Sequence, residues 1–411
     1  MAHKDLSHLS KEQIEELIKR YYAGDNIKSL LEEFDIQVSP SVLVTLFPEV
    51  ESKEVCEFCG SHLMHVWVGR SSLSPVNEKD YCPTCGHRPH FFNCYCTHCE
   101  EQRRMAQKKA EEERKAEIER KRKLVVEFAS ADKPTANFQA LSLTDRINLG
   151  TLLFALYDGN TNMIRPYKES EEMLFGDSGD VIKIYKELID KYAIRFNPFS
   201  SLDAFSTITE TNISYDMTGV SYLLNVNIPD TPNKDLAKRV MGFDKPFSVY
   251  TSEKDELMRV WKNLIIDECI NYFDYELNKV RFPFNPGEKT RFYLEEILKD
   301  YSVREVYYFI YMAIKSASRL YLEGGISKTY ATNIAVKTCK TYADRAKEEQ
   351  WKISTYNKPA NLFSPASFSF FFNNVVRIGE SQPYSLPNFG MGKEGKIEDF
   401  VKFEEGENGN G

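Results

Sequence analysis

From residue 99 to the C-terminus the chain contains no histidine. The side chain that most often serves as a general base near neutral pH is therefore missing from most of the protein. This excludes a Ser-His-Asp or Cys-His triad there, and a tyrosine-recombinase site in its usual histidine-containing form. No apolar run approaches the ~20 residues that a membrane span needs. The opening "MAHKDLSHLSKEQ" lacks the apolar core of a signal peptide, so a soluble, cytoplasmic protein without membrane association is expected. Gly-x-x-x-x-Gly-Lys followed by Ser or Thr is absent, which removes the common phosphate-cradling loop of that type. Cysteine is scarce outside one stretch: Cys269 and Cys339 stand alone, and the other seven of nine fall between Cys56 and Cys99. In a reducing compartment such clustering reads as metal binding, not as disulfides.

What is present divides the 411 residues into segments. The net charge of −8 argues against a protein that coats nucleic acid or a membrane surface, so any anionic partner must meet a local basic patch. Residues 1–50 read as short helices and 51–99 as a metal module. Residues 100–123, "EEQRRMAQKKAEEERKAEIERKRK", read as a charged helical linker with ten Lys/Arg against seven Glu and almost no apolar stripe. Arg120, Lys121, Arg122 and Lys123 at its end form a candidate nucleic-acid arm. Residues 124–390 read as an α-rich domain with minor β structure, and 391–411 as a disordered acidic tail. The fold class expected is thus mainly α and multidomain.

The stretch "YCPTCGHRPHFFNCYCTHC" (81–99) holds five cysteines and three histidines. "CEFCG" (56–60) and "CPTCG" (82–86) repeat one pattern. Two cysteines three apart in a tight turn aim both sulfurs at one ion, and the following glycine supplies the positive φ such a turn uses. Cys56, Cys59, Cys82 and Cys85 are therefore expected to form a tetrahedral Zn²⁺ site. Over residues 55–99 this pairing resembles the zinc ribbon family, whose members are binding or scaffolding modules. A second Zn²⁺ is a candidate at Cys96 and Cys99, completed by His62 and His65 or by His87 and His90, with Cys94 competing. With His62 and His65 the ligand pairs alternate as in cross-braced double-zinc modules, and that set is the one expected. A deaminase-type catalytic zinc needs His-x-Glu before Pro-Cys-x-x-Cys, which is absent.

In residues 9–48, Ser10 and Gln13 form a capping box. Ile14, Leu17, Ile18 and Tyr21 then make one apolar helix face, which Gly24 ends. Asp25 or Asn26 caps a second helix burying Ile27, Leu30, Leu31 and Phe34. Ser39 and Pro40 open a third, "PSVLVTLF". This layout resembles the helix-turn-helix of resolvases and insertion-element transposases, in which the third helix enters the major groove of duplex DNA. The resemblance places Ser41 and Thr45 at the DNA. Helix three has no Lys or Arg, so phosphate attraction would come from Lys19, Arg20, Lys28 or the basic arm.

In the larger domain, helices are expected near 253–279, at 303–322 with Ser302 and Glu305 as a capping box and Gly324 and Gly325 at its end, and near 328–350. A hairpin is expected at 213–228 around Gly219. "FGDSGD" (175–180) reads as a turn. Asp267, Asp274 and Lys279 read as a solvated helix face. The run Phe368–Phe372 reads as core, with a docking surface as the alternative.

The function expected is a zinc-containing DNA-binding adaptor or regulator, set in a mobile-element, phage or anti-phage defence system. In that reading residues 124–390 bind a protein or self-associate. The alternatives are a protein–protein assembly factor with a zinc head, and a metal-dependent nuclease in 124–390. A non-enzyme is favoured over an enzyme.

Overall fold

The computed structural model describes residues 3–70, 79–91, 93–130, 134–159, 161–177, 179–243, 245–390 and 396–405. The chain is mainly helical, with few strands in small sheets. It divides into two compact units, Met1–Glu119 and Arg120–Gly411.

In the first unit, α1 (Lys11–Ala23) starts from the Ser10–Gln13 capping box and ends where Gly24 adopts a left-handed conformation. The helix α2 (Ile27–Glu33) starts at Asn26, whose side chain accepts from the Lys28 N–H. Leu17, Leu30, Leu43 and Leu46 close a small core between these elements. The third helix expected at Ser39 does not form. The segment makes a turn and a 3-10 helix, Leu43–Leu46. Val42, Val44 and Thr45 are β-branched and poor helix formers, and the Thr45 hydroxyl bonds back to the Val42 carbonyl. Ser41 bonds to Ser39, and both Ser41 and Thr45 are exposed on this turn. The strands β1 (Val50–Val55) and β2 (His62–His65) pair antiparallel. Met64 also bridges Tyr81. The charged helix α3 runs longer than the 100–123 expected, from Thr97 to Ala129, and so takes in Cys99.

The second unit is built on α4 (Leu143–Leu156), α5 (Val181–Asp190), α6 (Leu236–Val240), α7 (Lys254–Lys279), α8 (Glu288–Leu298), α9 (Val303–Glu323), α10 (Lys328–Glu348) and α11 (Ala366–Phe370). The long helices fall where expected, and Ser302 and Glu305 do form the capping box of α9. Between the helices lie short strands: β3 (Ala136–Asn137), β4 (Met163–Ile164), β5 (Ile194–Phe196), β6 (Phe205–Ile208), β7 (Ile213–Tyr215), β8 (Tyr222–Leu224) and β9 (Val226–Asn227). The hairpin expected at 213–228 is absent. β7 pairs with β6, and β8 is the middle strand of a sheet ordered β4-β8-β5. Asp216 accepts from the Thr218 N–H and hydroxyl in the turn between β7 and β8, so the chain turns there without zipping onto itself.

The core is aromatic. Trp261, Tyr307, Phe370, Phe371 and Phe372 are essentially sealed from solvent, and Tyr272 stacks on Tyr307 with centroids 3.8 Å apart. The Phe368–Phe372 run is therefore core and not a docking surface. α4 and α11 approach so closely that a Cβ on Gly150 would stand 2.2 Å from Phe370 Cζ. Part of the expected disordered tail is also packed: Ile397 and Val401 are buried, and Tyr250 bridges Glu404. The rest of that tail, 391–395 and 406–411, lies outside the described residues. Among the described residues no helix is long and apolar enough to cross a membrane.

Candidate metal centres

The two Cys-x-x-Cys-Gly turns fold alike, because each closes with the same two backbone bonds. The Gly60 N–H donates to the Cys56 carbonyl at 2.9 Å, and the Gly86 N–H to the Cys82 carbonyl at 2.8 Å. The first cysteine of each turn then donates its own N–H forward, Cys56 to Ser61 O at 2.8 Å and Cys82 to His87 O at 2.7 Å. Gly60 and Gly86 take φ of 73° and 72°, a conformation that side-chain-bearing residues rarely adopt. The hydroxyls of Thr84 and Ser61 join the turns at 2.9 Å. The result brings Cys56, Cys59, Cys82 and Cys85 together, with Cys56 Sγ 3.5 Å from Cys85 Sγ and Cys59 Sγ 3.3 Å from Cys82 Sγ. Hydrogen bonds from Ser61 pull the Cys59 thiol down to about 6, whereas burial pushes Cys85 up to about 12. Thiols this close cannot share negative charge unless a cation sits among them.

A second set lies directly after the first. His87 Nδ1 stands 3.6 Å from Cys94 Sγ, 3.6 Å from Cys96 Sγ and 3.3 Å from Cys99 Sγ. All four ligand atoms of each set lie within 4.8 Å of one another, so both sets can hold a metal ion. Cys94 is held by the Arg88 N–H at 3.2 Å, and Cys99 enters from the first turn of α3. The Cys94 thiol is raised by burial, but hydrogen bonds from the Cys96 and Arg88 backbone outweigh this and bring it to about 6. Burial pushes Cys99 up to about 12.

Cys96 and Cys99 thus meet His87 and Cys94, and not His62 and His65. The β1–β2 pairing points that second pair elsewhere. His62 Nδ1 is 3.1 Å from the Ser52 carbonyl oxygen, and His65 Nδ1 is 2.8 Å from Asp80 Oδ1. His90 also stays out, 3.2 Å from Glu54. The signal for the observed set was its compactness: four ligands within residues 87–99, starting one residue after the second turn.

The two sets are joined through His87. Its carbonyl closes the Cys82 turn, while its ring belongs to the second set. The first turn covers that ring. Phe58 meets it edge-on at 4.6 Å and stacks on His98 at 4.8 Å. Glu57 Oε1 lies 3.2 Å from His87 Nε2, off the line of a hydrogen bond, so this buried nitrogen has no aligned partner.

The residues expected at DNA are dispersed in their roles. Ser41 and Thr45 bond locally, as described. Arg122 donates to the carbonyls of Pro198 and Ser200 in its own unit, the latter at 2.9 Å, and Lys123 faces Glu127 at 3.9 Å. Arg120 and Lys121 also have partners. In the first unit a groove of about 1130 Å³ runs along α1, floored by Ile14, Ile18, Tyr22, Val50 and Trp67 and rimmed by Lys11, Glu15, Lys19, Glu49 and Glu51.

The buried carboxylates Asp267 and Glu268 of the second unit are committed to cations and hydroxyls. Asp267, expected on a solvated face, is 3% exposed and bonds Arg291 at 2.6 Å; Arg291 also holds Asp177 at 2.9 Å. Close approach of the glycine loop causes this burial, since a Cβ on Gly176 would collide with Asp267. Glu268 is fully buried and receives Lys358, Tyr307, Tyr384 and Ser364 at 2.9, 3.1, 2.6 and 3.0 Å. Sequence periodicity gave no hint of this centre, because its members lie far apart along the chain. No protein-family model, curated protein or solved structure matches this chain.

Proposed function

We propose that this chain is an adaptor whose head, built on two structural Zn²⁺ ions, engages a protein partner. Zinc is the metal favoured by the donor sets. Thiolate-rich tetrahedral coordination suits Zn²⁺, whose bonds of about 2.3 Å to sulfur and about 2.0 Å to nitrogen put tetrahedral S···S contacts near 3.8 Å and N···S contacts near 3.6 Å. The His87 distances of 3.3–3.6 Å match this spacing. Each set supplies four ligands, which leaves no open position for substrate. That supports a structural and not a catalytic role.

The groove along α1 carries the choice of a protein over DNA. Its floor is apolar; the helix side carries Lys11, Glu15 and Lys19, and the strand side is acidic, with Glu49 and Glu51. This fits an amphipathic peptide segment with basic groups along the flank that faces the strand. The charge balance points the same way: residues 1–50 hold five Lys/Arg against nine Asp/Glu, unfavourable for a polyphosphate surface. The 3-10 turn at Leu43–Leu46 in place of a third helix, and the engagement of Arg122 by backbone carbonyls, favour the protein reading.

A gel-shift titration of the zinc-loaded full chain on pooled random duplexes, at low salt, tests the choice. No retardation is expected. Retardation that weakens on substitution of Arg120, Lys121, Arg122 and Lys123 would return the protein to the DNA-binding class. In cells, a photo-crosslinker at Ile18 is expected to trap one protein species, and Trp67→Ala is expected to abolish that product.

A further inference from the structure

The two nitrogens of the His87 ring stand in different surroundings. Nδ1 faces the sulfurs of Cys94, Cys96 and Cys99 at 3.3–3.6 Å. A nitrogen that ligates a metal is bare, and a neutral imidazole carries a single proton, so that proton belongs on Nε2. Nε2 is then a donor. It is sealed from solvent and has no aligned hydrogen-bond partner among the described residues. A buried N–H that has lost water and gained no acceptor is unfavourable.

One group lies within reach of it. Oε1 of Glu57 is 3.2 Å from Nε2, near enough for a hydrogen bond but off its line. The ring itself is held, 3% exposed and met edge-on by Phe58 at 4.6 Å. The Glu57 side chain is 69% exposed, so its carboxylate can turn into line without moving the ring.

We infer that, given the two-ion head proposed above, Glu57 is a positioning residue of the second metal centre. Its carboxylate accepts from the His87 Nε2–H, selects the tautomer that offers Nδ1 to the ion, and fixes the angle of the ring. Histidine ligands commonly donate their other N–H to such a group, and losing it typically lowers metal affinity by about 10–100-fold. Here the carboxylate comes from between Cys56 and Cys59, so the first Cys-x-x-Cys turn serves both centres.

The probe is Zn²⁺ alone, competed against a chelator of known affinity in the full chain, with the His87 ring followed by NMR of its nitrogens. Glu57→Ala should weaken one of the two ions by about 10–100-fold and leave the other as it was. Glu57→Gln keeps an acceptor oxygen and should recover most of the loss. In the native chain the Nε2–H proton should exchange slowly. In Glu57→Ala it should exchange rapidly while Nδ1 stays on the metal, a change that a merely structural role for Glu57 does not produce. Glu54 is the control, since its carboxylate lies 3.2 Å from His90, outside both sets. Glu54→Gln removes the same charge and should change neither affinity. Unchanged affinities and an unchanged Nε2–H signal in Glu57→Ala overturn the inference and leave the metal reading standing. An equal loss in Glu54→Gln also overturns it, by tracing the effect to net charge. A native chain whose His87 stays metal-free in saturating Zn²⁺ overturns both.

Discussion

In Met1–Glu119 the apolar clusters are small: ten buried residues around Leu17, Leu30 and Leu43, and a second group in which Leu63 is the sole buried member besides Cys56 and Cys82. In Arg120–Gly411 one cluster runs from Val125 to Val401 and contains a sealed tryptophan and a run of sealed phenylalanines. The difference follows from surface-to-volume scaling. A segment of residues 50–99 cannot bury enough area to offset its chain entropy, whereas a unit the size of the second can. In the proposed reading, metal–ligand bonds do in one what apolar contact does in the other.

The sharpest way to break this comparison is to remove the metal. Chelation should unfold residues 50–99 and leave the second unit folded, because structural zinc supplies ~10–16 kcal/mol apparent in small isolated fingers. Limited proteolysis before and after chelation, with elemental analysis, checks it; loss of both units together would show that they are not independent. Single ligands should divide more finely. Elemental analysis is expected to find two zinc ions in the native chain, one after His87→Ala, and two after His62→Ala or His65→Ala.

In the second unit the largest effects should come from packing. Phe370→Ala, at a fully buried position, should cost about 3–5 kcal/mol in urea unfolding while the zinc content stays unchanged. Losing the Ser10 cap is smaller. Ser10→Ala should lower the stability of the first unit by about 1 kcal/mol, read from its thermal transition in zinc-loaded protein. The smallest effect is electrostatic. The Lys168 ammonium, then the Thr218 hydroxyl, hold the Asp216 carboxyl at about 2. A depressed carboxylate adds stability that is present above its unfolded value of about 4 and is lost as pH falls through the folded value. Lys168→Ala should therefore raise the Asp216 titration midpoint toward the ordinary range, followed by NMR, and narrow the acid tolerance of the second unit only.

Helices were legible in the sequence where their signals were local. Ser10, Asn26, Ser302 and Gly24 mark boundaries that the structure keeps, since a cap needs only its neighbours. The first metal set was legible for the same reason. Failures came where a distant partner decided. Nothing local told β7 and β8 to pair with β6 and β4 in place of each other, or told Asp267 that Arg291 would cover it. "PSVLVTLF" carried a start signal but too many β-branched residues to continue. The second metal set was missed because neither His pair supplies it: His87 joins alone and Cys94 takes the fourth place, while His62 and His65 turn to Ser52 and Asp80.

The double use of His87 has a consequence for assembly. Its carbonyl accepts from the Cys82 N–H while its ring meets Cys94, Cys96 and Cys99, so the backbone turn that shapes the first set also orients a ligand of the second. Metal bound at either set would thereby hold a residue that the other set uses, and the two sites should not fill independently when metal-free chain is titrated with zinc.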